Sequence, residues 1–346
     1  MESISIRFFL TRTGLSFLLI LFGSSLLSQS GAPGSIRVAF YNVENLFDPT
    51  NDSTKNDDEF TPEGMRNWSD YRYREKSNRM AKAILSIGEW EAPDVVGLAE
   101  VENRKVVVDL TQTEVLRKFN YEVVHYESPD RRGIDVAMIY RKDKLNLIYS
   151  KPIPVLMPED PSFATRDVLY AKLVTTGKDT IHIMYCHWPS RYGGQAQSEP
   201  KRILAAQTVR GVTDSIFGFD KDAKIVIAGD FNDEWNNISL RNYLTNSTDS
   251  AFTLVNLMAQ LPASQGSHRY RGVWSYLDQV IVSKSLMDGK DLDLYNLKAE
   301  ICNHEFLLEK DEKYPGQKPF RSFIGMKYHG GFSDHLPIYI DLIQQD

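Results

Sequence analysis

The stretch IVIAGDFN, residues 225–232, ends an apolar, β-branched run with a glycine and then an Asp and an Asn two residues apart. A short apolar run bounded by a turn signal is the pattern of a strand buried on both faces, so residues 225–228 read as a core strand. Gly229 is expected to let the backbone turn tightly at its end. Asp230 and Asn232 then project from the sheet edge, where ligands of α/β sheets bind. A carboxylate there can take a proton from water or hold a metal. A carboxamide can donate to an oxyanion without changing its protonation state. That pairing suits phosphate-ester hydrolysis.

On either side of this stretch, six further apolar runs read as strands: residues 36–41, 94–99, 134–140, 181–186, 277–282 and 336–342. Helical periodicity fits residues 73–89, 106–119 and 200–217, the last lying between two strand candidates. The expectation is a mixed α/β chain with a large sheet core.

Most of these runs adjoin residues of catalytic type. Asn42 follows the first, and Glu100 follows the second in DVVGLAE. Oxygen ligands of this kind suit a hard cation such as Mg²⁺, which takes few protein groups and leaves positions for phosphate oxygens; Mn²⁺ and Ca²⁺ are the alternatives. No Cys/His cluster argues for zinc. His187 heads HWPSR after one strand, and His335 lies in FSDHLPI before another. A protonated imidazole can pair with a phosphate oxygen when a carboxylate holds its other nitrogen and raises its pKa. Asp278 in YLDQVIV and Asp135 in RRGIDVAMIYR are the available carboxylates, and Asp334 adjoins His335 to assist the nucleophile or the metal.

The ordered set FYNVENLFD, DVVGLAE, GIDVAMIYR, HWPS, GDFN, LDQVIVS and SDHLPI resembles the endonuclease/exonuclease/phosphatase superfamily, its secreted deoxyribonuclease-like branch in particular. The resemblance spans about Ile36 to Leu342, and its specificity lies in the order of the motifs. It implies a four-layered sandwich of two packed mixed β-sheets flanked by helices, a divalent metal, and cleavage of phosphoester bonds. It further implies Glu100 as principal metal ligand helped by Asn42, Asp230 as the base for the attacking water, Asn232 on the phosphate, and Asp278 orienting His335. His187 matches the histidine of secreted deoxyribonucleases. Asp135 is off the family's register by about one residue, which would turn its side chain to the other face. Arg166 in ATRDVLY and Arg191 in HWPSRYGG are candidates for bidentate phosphate contacts.

Composition bounds the rest. Arg7 and Arg12 precede the apolar stretch GLSFLLILFGSSLL, which gives way to SQSGAPGS, a pattern that reads as a secretory signal peptide over residues 1–30. The chain from 31 to 346 is then expected to be one domain, secreted or periplasmic, monomeric and without stable membrane insertion. Removing Glu2, Arg7 and Arg12 takes one net positive charge away, so the whole-chain net of -6 becomes about -7. An acidic protein lacks the broad positive field that holds long nucleic acids by counterion release. Two cysteines, Cys186 and Cys302, among 42% apolar residues leave stability to the core and not to a disulfide framework. The expected partner is a phosphodiester substrate, nucleic acid included. The alternatives are a phosphomonoesterase or a phospholipid or inositol-phosphate hydrolase of the same fold. A catalytically silent binding protein is disfavoured, because every matched polar position is intact.

Overall fold

Two sheets, each built around one parallel pair of strands, carry the site between them. The computed structural model describes residues 35–88, 91–249 and 252–345. The expected signal segment, residues 1–30, lies outside the described residues. The first sheet opens with β1 (Ile36–Leu46), β2 (Val95–Val101), β3 (Tyr121–His125) and β4 (Asp135–Arg141). The second holds β5 (Leu145–Ile153), β6 (Val168–Thr175), β7 (Thr180–His187), β8 (Lys224–Asp230) and β9 (Leu254–Asn256). A hairpin of β10 (His268–Tyr270) and β11 (Val273–Ser275) leads into β12 (Asp278–Ser283) of the second sheet. The chain then returns to the first sheet with β13 (Leu292–Leu294) and β14 (Glu300–Ile301). Two small pairs follow, β15 (Leu308–Lys310) with β16 (Gln317–Pro319) and β17 (Phe323–Ile324) with β18 (Lys327–Tyr328), before β19 (Ile338–Gln344).

Strand order is β13-β19-β1-β2-β4-β3 in one sheet, with β14 also on β19, and β5-β6-β7-β8-β12-β9 in the other. β1 and β2 run parallel, as do β7 and β8, and the remaining pairings are antiparallel. Period-2 alternation sorts the side chains. Ala39, Tyr41 and Val43 of β1 pack with helices α1 (Asp70–Ile87) and α2 (Arg104–Thr111), through Met80, Ile84, Val107 and Leu110. Val38 and Phe40 face the other way and meet Ile183 and Tyr185 of β7 and Val226 and Ala228 of β8. Ile225 and Ile227 turn outward under α3 (Gln195–Phe219), against Ala205, Ala206 and Val209. Helices, sheet, sheet and helix therefore stack as the expected four layers. The sheets approach closely at Gly97, where a Cβ would stand 2.1 Å from the Tyr185 ring.

All seven expected runs are strands. β3, β5 and β6 have no counterpart among the expected runs. β5 is mostly half-exposed or exposed, so it lacks the apolar run that marks the others. α2 ends at Thr111, well before residue 119: Asn103 accepts the Val106 amide at its start, and the Thr111 and Thr113 hydroxyls bond back to the carbonyls of Val108 and Leu110 at its end. α3 begins at Gln195, not at Pro200, because Arg202 donates back to Ser198 Oγ and the Gln195 carbonyl and so ties down one more turn. Among the described residues no helix is long and apolar enough to cross a membrane. Cys186 and Cys302 are buried and unbridged.

Candidate active site

Register alone gathers most of the polar residues. The parallel β7–β8 pair sets His187 beside Asp230, and the antiparallel β8–β12 pair sets Asp278 on the other side of it. β1 and β2 bring Asn42 and Glu100 to the same end from the facing sheet. Both strands leave regular pairing there, with shifts between Asn42 and Leu46 and between Ala99 and Val101. Glu44, Asn45, Glu100 and Asn232 all have left-handed backbones, with φ of 51°, 60°, 64° and 49°. Each such non-glycine residue costs roughly 1–3 kcal/mol, and strain of this kind collects where side chains must be aimed. Gly229 does not make the turn expected of it, since Asn232 does. Gly229 is required because a Cβ there would stand 2.2 Å from the Cys186 carbonyl oxygen of β7.

The aimed groups meet. Asn42 Nδ2 donates to Asp230 Oδ2 at 3.0 Å and to Glu100 Oε1 at 3.3 Å, while its oxygen accepts the Glu44 amide at 3.0 Å. The Asn45 amide holds Glu100 Oε2 at 3.1 Å, and the Asn232 amide holds Asp230 Oδ1 at 2.9 Å. His187 Nε2 lies 3.7 Å from Asp230 Oδ2 and 3.9 Å from Glu100 Oε1. His335 Nε2 lies 3.7 Å from the same Asp230 oxygen, and its Nδ1 is 2.7 Å from Asp278 Oδ2.

Burial pushes the Asp230 carboxyl up to about 7, with the Asp278 charge adding to the rise and His335 opposing it. Burial opposes the charged form of His335, but Asp278 and Asp230 outweigh it and hold that imidazole well above its ordinary range. His187 is held well below that range, by burial first and then by the positive charges of Arg166 and Arg132. A near-neutral base therefore sits between a charged and an uncharged imidazole.

Other expected residues fall elsewhere. Asp135 is paired away from this cluster: its carboxylate is 3.1 Å from His125 Nε2 and accepts the Ser128 amide at 2.9 Å. His187 Nδ1, which a carboxylate was expected to hold, is buried without a hydrogen-bond partner among the described residues. Arg166 does not present a fork to solvent; it is buried, donating to the His187 and Trp188 carbonyls at 3.1 and 2.5 Å and to Asp130 at 3.0 Å. Arg191 donates to the Asn232 carbonyl at 2.7 Å and reaches Asp233 at 3.3 Å, so it fastens the loop after β8. Asn232 itself donates to the Trp188 carbonyl at 3.1 Å. Asp334 accepts from Arg321 at 2.9 Å, and Arg321 also bonds the buried Glu44.

Three contributors are not evident in the sequence. Asn45 and Glu44 lie inside FYNVENLFD, one holding Glu100 and the other linked to Asp334 through Arg321. The His268 ring packs at a tilt of 43° against that of His335, with ring centres 4.9 Å apart, and the two residues form a β-bridge. Its only sequence signal is its place shortly before LDQV.

The donor set fits a divalent cation. Carboxylates of Glu100, Asp230, Asp278 and Asp334 converge with no thiolate nearby, and the Asp230–Asp278–His335 and His268–Asp334–His335 groups each place ligand atoms within 4.8 Å of one another. Asp334 is the most exposed of these carboxylates but is held by Arg321; of the other three Glu100 is the most open to such an ion, its side chain being 17% exposed against 3% for Asp230 and 1% for Asp278. The Asn42 oxygen accepts the Glu44 amide while its Nδ2 donates to Asp230 and Glu100, so in this geometry Asn42 steadies two carboxylates.

No curated protein matches the chain. Among solved structures it is similar to an endonuclease/exonuclease/phosphatase from Bacteroides vulgatus, at 15% identity and a TM-score of 0.56 over 90% of this chain and 99% of that one. D. rerio TDP2 complexed with a single-strand DNA product gives 14%, 0.54, 90% and 99%. The Bacteroides thetaiotaomicron mannosyl-6-phosphatase Bt3783 gives 16%, 0.53, 89% and 100%. At such identities the likeness carries the fold alone. A model of the Endonuclease/Exonuclease/phosphatase family matches residues 37–344, and members of that family are hydrolases of phosphoester bonds that typically use divalent metal ions. The chain belongs to the endonuclease/exonuclease/phosphatase family.

Proposed function

We propose that the chain is an exported, Mg²⁺-dependent phosphodiesterase of the nuclease type. The observation that carries this reading is the convergence of two histidines on Asp230, each 3.7 Å from its Oδ2, with His187 also 3.9 Å from Glu100, at the edge shared by both parallel strand pairs. Asp230, with its carboxyl raised to about 7, is matched to accept a proton from water near neutral pH. His335 is held charged by Asp278 and offers Nε2–H to a phosphoryl oxygen as negative charge develops there. His187, uncharged, supplies a second Nε2 on the opposite side of Asp230. Glu100 would hold the cation, which supplies Lewis-acid neutralisation of phosphate charge when bound.

The test is a panel of phosphodiesters and phosphomonoesters, each assayed with Mg²⁺, Mn²⁺, Ca²⁺ and EDTA. The expected result is turnover of diesters that needs Mg²⁺ and stops in EDTA. Turnover of monoesters alone would assign the site to the phosphomonoesterase alternative, which the likeness to a mannosyl-6-phosphatase makes the first to compare. Turnover of neither would leave the silent binding protein. Export and the monomeric state belong to the same proposal: the mature chain should begin near residue 30 and sediment as one copy.

A further inference from the structure

Beside the reaction centre, behind the HWPSR loop, lies a cavity of about 530 Å³ that the proposed chemistry leaves unused. It is lined by Arg132, Arg166 and Lys201 against a single carboxylate, Asp130, with Phe163, Pro189 and Tyr192 as flat surfaces. On a chain of net charge -6 such a concentration of positive charge is local, not a general property of the surface. Asp130 is shared: it is 3.0 Å from Arg166 Nη1 and 3.4 Å from Arg132 Nε, so one negative charge serves two guanidiniums. Lys201 has no carboxylate within ion-pair distance among the described residues, and its ammonium stands 5.7 Å over the Phe163 ring. The Thr165 hydroxyl in the wall is buried and has no hydrogen-bond partner among the described residues.

The cavity adjoins the catalytic residues. Arg166 grips the carbonyls of His187 and Trp188 on one side and lines the cavity on the other. The charges of Arg166 and Arg132 both act on the His187 imidazole. Ser190, also in the wall, is three residues from His187, so their Cα atoms lie within about 10 Å of each other. A volume of this size is larger than one phosphoryl group requires and suits a phosphate together with the sugar or ring that bears it.

We propose that this cavity is a second phosphate subsite, which takes a phosphoryl group carried on a sugar or ring of the same substrate whose scissile phosphate lies at Glu100 and Asp230. The proposal rests on the phosphodiesterase reading and deepens it: the preferred substrate carries two phosphoryl groups a short reach apart. Arg132 and Lys201 bind the second one, the aromatic rings flank its carrier, and Arg166 keeps the loop between the two subsites in place. Neighbouring phosphates of an oligonucleotide and the two phosphates of an inositol or sugar bisphosphate share this chemistry.

Binding measured on the folded Asp230→Asn protein with Mg²⁺ separates this proposal from turnover. One arm compares dinucleotides with and without a terminal phosphate, at either end. The other compares inositol bisphosphates with the monophosphate. The expected result is that in at least one arm the extra phosphate tightens binding about tenfold or more, the worth of one additional charge-assisted hydrogen bond. That preference should collapse toward one when Arg132→Ala and Lys201→Ala are combined in the same protein. The arm in which it occurs identifies the source of the phosphate. No preference in either arm, or a preference that survives the double substitution, overturns the subsite. Loss of diester turnover in the native protein would instead strike the proposed function, which this binding measurement does not depend on.

Discussion

His187 and His335 stand at the same distance, 3.7 Å, from the same Asp230 oxygen, yet their surroundings drive them in opposite directions. His335 has a carboxylate on its far nitrogen and two more beside it, so it keeps its proton. The far nitrogen of His187 has no partner among the described residues, and two arginines lie behind it, so it loses its proton. What an imidazole near a phosphate can do is thus decided by the groups behind it, not by its distance from the reacting atoms. One half of the site is built to carry charge and the other to stay neutral.

The most damaging change to this contrast removes the carboxylate between the rings. Asp230→Asn keeps the shape and should lower turnover by about 10² to 10⁴ fold, the worth of a positioned general base, with folding unchanged by circular dichroism. Near-normal turnover would end its assignment as the base. Next, Asp278→Asn and His335→Asn should each cost about 10² fold or more, and the double substitution should cost little more than the worse single one, because Asp278 acts through the ring. If the two losses multiply, the rings and carboxylates act independently and the contrast fails.

On the neutral side the expected injury is structural. Arg166→Ala removes a donor from the His187 and Trp188 carbonyls, the latter keeping Asn232, and leaves Asp130 without its closer guanidinium, so unfolding free energy should fall by about 2 kcal/mol in denaturant titration. A stable Arg166→Ala protein would show that this guanidinium is not a brace. His187→Gln should cost less activity than His335→Asn, about tenfold, because an amide can still donate where an uncharged imidazole did.

The smallest effect is in pH dependence. The folded pKa of His187 lies below its unfolded value of about 6.5, so the unfolded chain binds the extra proton. Its contribution to stability is present above about pH 6.5 and is lost as the pH falls toward the folded pKa. The His187→Gln protein should therefore lose less stability than the native one between about pH 6.5 and 5. An identical loss in both would mean that His187 is not held neutral.

Asp230, Glu100, His335 and Asp278 are legible in the sequence because each adjoins an apolar run, and a strand's end is where a sheet displays its side chains. Asp135 misleads for the same reason. It begins a strand too, but the antiparallel pairing of β3 and β4 brings His125 to it instead of His187. Arg166 and Arg191 are legible as cations beside the site but not as braces, since nothing in their local sequence tells whether a guanidinium will face water or a carbonyl. Glu44, Asn45 and His268 escape notice because their roles need a bulge, a left-handed backbone or a ring from another hairpin.

Burial and alternation are local properties of a chain, so the order of amino acids alone dictates the seven apolar runs, the polar residues that end them and their succession. Which ends meet, which histidine is charged, and which arginines are consumed in holding the loop are outcomes of tertiary packing. They depend on distances between residues as far apart as Asn42 and Asp230, and on how deeply each charge is removed from water, and neither is written in any one segment.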